Sequence, residues 1–226
     1  MAAFEHAVHL GYRCIETDVR ATRDRVPVIF HDESMDRLTD HTGPFAVRDW
    51  AQLDDVRIDG REPIVRLDDL LGAWPDLRLI IDPKSDDVVT PLIEALRRAN
   101  ARHRVCIGSF STRRLRWFRT DGPGCTSCGP TEVVRLRAES WGVPAGKLDA
   151  DCAQVPPRQP LLGKLSVPVV DAAFLRAAHA RGMPVQVWTV DDEAEMERLL
   201  DLGVDGIMSD RVTALKKVFE RRGLWR

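Results

Sequence analysis

The stretch RCIETDVRATRDRVPVIFHD, residues 13–32, decides how this chain is read. Arg13 to Val19 is rich in strand-forming residues, and so is Val26 to His31. Only Thr22-Arg23-Asp24-Arg25 lies in the connection between them. That is too short for a crossover helix, so the two runs are expected to pair as a hairpin. Side chains alternate along a strand, so Glu16 and Asp18 must share a face. The hairpin returns His31 toward the strand end that carries them.

Outward from this stretch, strands alternate with helices. Upstream, residues 2–10 put Phe4, Ala7 and Val8 on one helical face, and Gly11 is a natural stop. Downstream, residues 36–66 are polar and turn-rich, the mark of a functional insertion or lid. A short helix is expected over Leu67 to Trp74. Strands then fall at 77–84, 104–110, 125–129, 151–156, 184–190 and 204–209. Helices fall at 88–101, 112–118, 131–141, 171–181, 192–202 and 212–222. The Pro-rich segment 156–168 reads as a long loop. Gly182, Gly203 and Gly223 stand where helices end. Asp191 and Asp210 stand where helices start.

Such alternation predicts a parallel sheet with helical crossovers, in one domain spanning 1–226. Seven barrel-type strands can be counted, beginning near residues 13, 77, 104, 125, 151, 184 and 204. A closed barrel of this class has eight. The chain thus reads as an α/β, (β/α)8 TIM-type barrel lacking its first strand, which is expected upstream of Met1.

The 226 residues carry a net charge of −2 without a basic run, which argues against a nucleic-acid partner. A phosphate-containing ligand would need a local site. No apolar run reaches the ~20 residues of a membrane span, and no signal-peptide layout is present, so the expected location is cytoplasmic. Five cysteines at irregular spacing argue against a disulfide framework. Cys125-Thr-Ser-Cys128 has no second pair for zinc, so the cysteines are expected to be ordinary thiols. The sequence does not define an oligomeric state.

In a barrel of this kind, chemistry sits at the C-terminal ends of the strands. Two carboxylates held together at Glu16 and Asp18 would repel unless a cation sits between them, and oxygen ligands suit Mg²⁺ or Ca²⁺. An exposed strand face accounts for the pair equally well. His31 can move a proton near neutral pH, although a lone histidine is often structural. Asp82 and Lys84 end the apolar run LRLIIDPK and share a face, as a third carboxylate ligand and a cation for a phosphate oxygen. Ser109, Phe110 and Trp188 also end strands. Phe110 and Trp188 could line a substrate pocket, and core packing explains Trp188 as well. Arg20, Asp36, Arg37 and Arg211 are read as solvated or loop residues.

These pieces occur together in one known family. The blocks AAFEHAVHLG, IETDVRATRDRVPVIFHDESMDRLT, LIIDPK, IGSF, VQVWTVDD and LGVDGIMSDR span nearly the whole chain. In that order they resemble the bacterial glycerophosphodiester phosphodiesterases. The resemblance implies a phospholipase-C-like phosphodiesterase barrel that hydrolyses glycerophosphodiesters to glycerol 3-phosphate and an alcohol. It implies a divalent metal at Glu16 and Asp18 and a catalytic histidine at His31. The family's third ligand strand usually reads Glu-x-Lys, and here it reads Asp82-Pro83-Lys84. The family's opening His-Arg-Gly strand and Pro-Glu-Asn-Thr loop are expected upstream, so residues 1–226 alone are expected to be weakly active or inactive, or poorly soluble. A degenerate barrel that only binds a phosphodiester or metal, or a related phosphodiesterase of different substrate, fits the same residues.

Overall fold

A computed structural model describes residues 1–122, 124–160 and 166–225. Its contacts divide the chain into two compact units, Met1–Cys125 and Thr126–Arg226.

The first unit is built on the opening hairpin. Strand Cys14–Ala21 pairs antiparallel with Pro27–Ile29, with Val19 opposite Ile29 and Ala21 opposite Pro27. The turn closes through Thr22 N–H to the Val26 carbonyl at 3.1 Å, and Arg25 takes a left-handed φ of 66°. On its other side Cys14–Ala21 pairs parallel with Arg78–Pro83, which pairs parallel with Val105–Ile107. Val65–Arg66 and Cys125–Thr126 form the two edges of this sheet.

One face of the sheet is packed by helices Ala2–His9, Leu67–Ala73, Val89–Arg98 and Thr112–Thr120. In the third of these, Val89, Leu92, Ile93 and Leu96 recur at helical spacing and are all buried. They join Val19, Leu79, Ile81, Leu67 and Leu115 in one core. Phe4 and Val8 pack against that core and Ala7 is buried, so the first helix uses the expected face.

Residues 36–66, expected as a functional insertion or lid, contribute to a core of their own. Phe45, Leu53, Val56 and Ile64 of this segment are buried in a second cluster with Val28, Phe30 and Met35 from just before it. Phe30 and Phe45 stack with centroids 5.0 Å apart. A small hairpin, Arg57–Ile58 against Glu62–Pro63, sits in this segment. Val65 and Arg66 are not irregular, because they pair with Val28 and Ile29.

The second unit has three parallel strands in the order Gly206–Ile207, Val185–Val187, Ala153–Val155. Its helices are Pro130–Glu139, Ala172–Ala180, Glu193–Leu202 and Val212–Arg221. Phe174, Leu175, Met196 and Leu199 are buried from the helices, and Val155, Val185 and Val187 from the strands.

Five expectations need correcting. The loop at 156–168 contains an antiparallel pair, Arg158–Pro160 with Ser166–Pro168, while residues 161–165 lie outside those described. Strand 125–129 stops at Thr126, after which Ser127 makes an isolated parallel bridge with Cys152 and Pro130 opens the next helix. Asp192, not Asp191, caps its helix, by accepting from Glu195 N–H at 2.8 Å. Asp191 instead accepts from Ser209 Oγ and from Asp210 N–H, and Arg211, not Asp210, takes the cap position of the next helix, without a side-chain cap hydrogen bond. Finally, Cys106 and Cys125 form a disulfide. Residues nineteen apart in sequence meet because they sit on neighbouring strands, with Cα atoms 4.4 Å apart. Cys14, Cys128 and Cys152 take no part in this disulfide.

Asp171 shows how the helix starts are secured. Its carboxylate accepts from Phe174 N–H at 2.8 Å and from both Nη atoms of Arg137 at 2.7 and 2.8 Å. The Arg137 fork, aided by the cap, holds its pKa down to about 2. A carboxylate unfolds to a pKa of about 3.9, so the stabilisation is complete above that value and fades as pH falls toward about 2. Asp171→Ala is expected to cost about 1 kcal/mol at pH 7. Urea unfolding at a series of pH values should show the gap closing between about pH 4 and about pH 2.

Candidate active site

The hairpin and the parallel ladder together set the site. Along Cys14–Ala21, Thr17, Val19 and Ala21 are buried, whereas Glu16 is exposed and Asp18 and Arg20 are half-buried. Alternation therefore puts the two carboxylates on one face, as expected, and the apolar core on the other. The parallel register places Asp18 directly beside Asp82. Lys84 N–H then donates to the Val19 carbonyl at 3.0 Å, which fixes the backbone just beyond Asp82.

Lys84 Nζ lies 2.7 Å from Asp18 Oδ1 and 2.9 Å from Asp82 Oδ2. All three side chains are about a fifth exposed or less. Burial pushes the Asp82 carboxyl above its usual range, and the Asp18 charge adds to that, against the pull of Lys84. Burial works against the Lys84 ammonium too, but hydrogen bonds to Asp18 and Asp82 outweigh it and raise its pKa. The group is a carboxylate–ammonium–carboxylate bridge across two adjoining strand ends.

His31 follows the second hairpin strand. Phe30 N–H donates to the Asp18 carbonyl at 3.1 Å, so the chain is still beside Asp18 when it reaches His31. Arg20 Nε donates to the His31 carbonyl at 2.9 Å. The imidazole Nδ1 is 2.6 Å from Asp32 Oδ1, and Arg37 grips Asp32 at 2.7 and 2.8 Å. This fork, with His31, holds Asp32 well below the usual carboxylate range. Arg20 and Arg37, read from sequence as solvated or loop residues, thus hold the histidine's surroundings. Asp36 keeps a loop role, accepting from Gly43 N–H and Ser34 Oγ.

Gly108 N–H donates to the Ile81 carbonyl at 3.0 Å, so Ser109 and Phe110 leave the sheet beside the Asp82 end. The Phe110 side chain is 71% exposed there. Trp188 belongs to the second unit, where it follows strand Val185–Val187 and is half-buried. Arg114, which the sequence did not single out, donates to the Pro83 carbonyl and to Asp86, at 2.9 and 2.7 Å.

The donor set fits a hard divalent cation, since carboxylate oxygens of this kind are what Mg²⁺ and Ca²⁺ take. Among the described residues, Glu16, Asp18 and Asp82 do not bring one carboxylate oxygen each within 4.8 Å of one another. Lys84 supplies the positive charge between the latter two.

The chain matches the model of the glycerophosphoryl diester phosphodiesterase family over residues 1–214. It belongs to that family. A protein named probable glycerophosphodiester phosphodiesterase 2, from Mycobacterium tuberculosis, is 40% identical over all of this chain and 86% of its own length. A solved glycerophosphoryl diester phosphodiesterase domain from the same organism superposes with a TM-score of 0.80 at 20% identity, covering 96% of this chain and 91% of that one. An Oleispira antarctica phosphodiesterase, solved with the product sn-glycerol-3-phosphate, matches with a TM-score of 0.77 at 18% identity, over 96% and 90% of the two chains. These likenesses give the fold as that of the family's TIM-type barrel. Glycerophosphoryl diester phosphodiesterases are generally metal-dependent. Among the described residues, no helix is long and apolar enough to cross a membrane.

Proposed function

We propose that this chain hydrolyses glycerophosphodiesters to glycerol 3-phosphate and an alcohol, with Mg²⁺ or Ca²⁺ held by Glu16, Asp18 and Asp82. The observation that carries the reading is the Asp18–Lys84–Asp82 bridge at the ends of neighbouring parallel strands, in a member of this family. When bound, the cation neutralises the phosphate and lowers the cost of charge developing on its oxygens.

Groups of the chain itself supply further parts of the chemistry. A phosphodiester carries one negative charge, and its displacement spreads charge over the phosphoryl oxygens. Lys84 offers an ammonium to one of them. His31 takes a proton from the attacking hydroxyl or gives one to the leaving oxygen. The attacking group is water or the neighbouring glycerol hydroxyl. Phe110 supplies apolar surface for the carbon skeleton. Both units count here as parts of one catalytic domain, a reading supported by the span of the family match.

The test is product release. Purified protein is incubated, with Mg²⁺ and separately with Ca²⁺, with glycerophosphodiesters bearing choline, ethanolamine or glycerol. Glycerol 3-phosphate is expected from at least one. Release of the head group as its phosphomonoester, or no turnover under either ion, would overturn the proposal.

A further inference from the structure

The contacts around His31 do more than place it. We propose that Asp32 and Arg37 are positioning residues that fix the tautomer of His31 and leave its Nε2 as the atom that exchanges the substrate proton. The inference rests on the proposed role of His31 in catalysis and deepens it.

A carboxylate that is ionised can only accept a hydrogen bond. Asp32 Oδ1, 2.6 Å from His31 Nδ1, therefore requires the proton on Nδ1. A neutral imidazole so held has its lone pair on Nε2 and can act there as a base. After taking a proton it is stabilised by the adjacent carboxylate.

Arg37 makes this arrangement durable. Its Nε and Nη2 contact both oxygens of Asp32, a fork geometry that a lysine cannot reproduce. Although Arg37 is two-thirds exposed, Asp32 is only 19% exposed. The fork also keeps Asp32 ionised far into acid. The backbone that carries Arg37 is tied down as well. Leu38 and Thr39 N–H both donate to the Met35 carbonyl, and the Met35 side chain is fully buried. From the opposite side, Arg20 holds the His31 carbonyl. The imidazole is thus fixed through its own backbone and through its Nδ1.

Two readouts test this. The first is the ¹⁵N shifts of the His31 ring, assigned by comparison with His31→Asn. In the unaltered protein Nδ1 is expected to carry the proton when the ring is neutral. Asp32→Asn should move the proton to Nε2, because Arg37 will hold the amide oxygen and turn the NH₂ toward the ring. The second is kinetics. Asp32→Asn should lower kcat by about 10–10³-fold with KM little changed. Arg37→Met should fall similarly, and Arg37→Lys should recover only part of the loss. An unchanged His31 tautomer in Asp32→Asn overturns the proposal, as does a loss of activity explained by a parallel fall in thermal midpoint. Full activity in His31→Asn instead overturns the catalytic reading of His31, while the ring shifts still judge the dyad on their own.

Discussion

Asp18→Asn is expected to lower turnover of a glycerophosphodiester by about 10³-fold, the rate equivalent of about 4 kcal/mol. The size follows from the two partners Asp18 has. It shares a strand face with Glu16, so it is one half of the carboxylate pair read as the metal site. It also accepts from Lys84, which it holds in common with Asp82. An amide at position 18 weakens the hold on a cation and frees one side of the ammonium. Lys84→Met separates the two effects. It removes the charge offered to phosphate, so kcat should fall by about 10²-fold. It also removes the built-in cation that competes for Asp18 and Asp82, so Mg²⁺ and Ca²⁺ should bind at least as tightly as before. Calorimetric titration of the ions into each variant reads this directly. If Asp18→Asn keeps turnover within tenfold, or Lys84→Met loses metal affinity, the assignment of these residues is wrong.

Local geometry explains what the sequence made legible here. Glu16 and Asp18 had to share a face because strands alternate, and a four-residue link could only make a hairpin that brings His31 back. Both conclusions need nothing beyond nearest neighbours in the chain. The adjacency of Asp18 and Asp82 is different. It depends on which strands pair and in what register, and sixty-odd residues lie between them. The Lys84 bridge follows from that register and was hidden for the same reason. The Cys106–Cys125 disulfide was missed because spacing along the chain does not report proximity across a sheet. Arg20 and Arg37 looked like surface cations, and their hydrogen bonds depend on where the His31 turn lies. Asp191 and Asp192 illustrate the finer limit. Either could have been the cap, and a one-residue shift in the helix start decided between them.

Phe45→Ala is expected to destabilise the protein by about 3–5 kcal/mol. Phe45 is 1% exposed and stacks on Phe30, at the centre of the small core under residues 36–66. No periodic pattern announces this core, because Met35, Phe45, Leu53, Val56 and Ile64 come from turns and short helical pieces, not from one long element. The ring is closely packed on all sides, so removing it leaves a cavity that the fixed neighbours refill only in part. For a chain of this length the cost corresponds to a fall in thermal midpoint of about 6–20 °C. Activity should suffer beyond that fall. Phe45 N–H donates to the Glu33 carbonyl, and Met35 N–H donates to the Gly43 carbonyl, so the core lies directly beneath the turn that aims Arg37 at Asp32. Hydrogen exchange should therefore speed first at amides between 33 and 56. At temperatures where the rest of the protein is intact, kcat should already be reduced. Conversely, exchange that speeds uniformly across the first unit would mean that this segment has no stability of its own, and that its buried cluster is merely an extension of the main core.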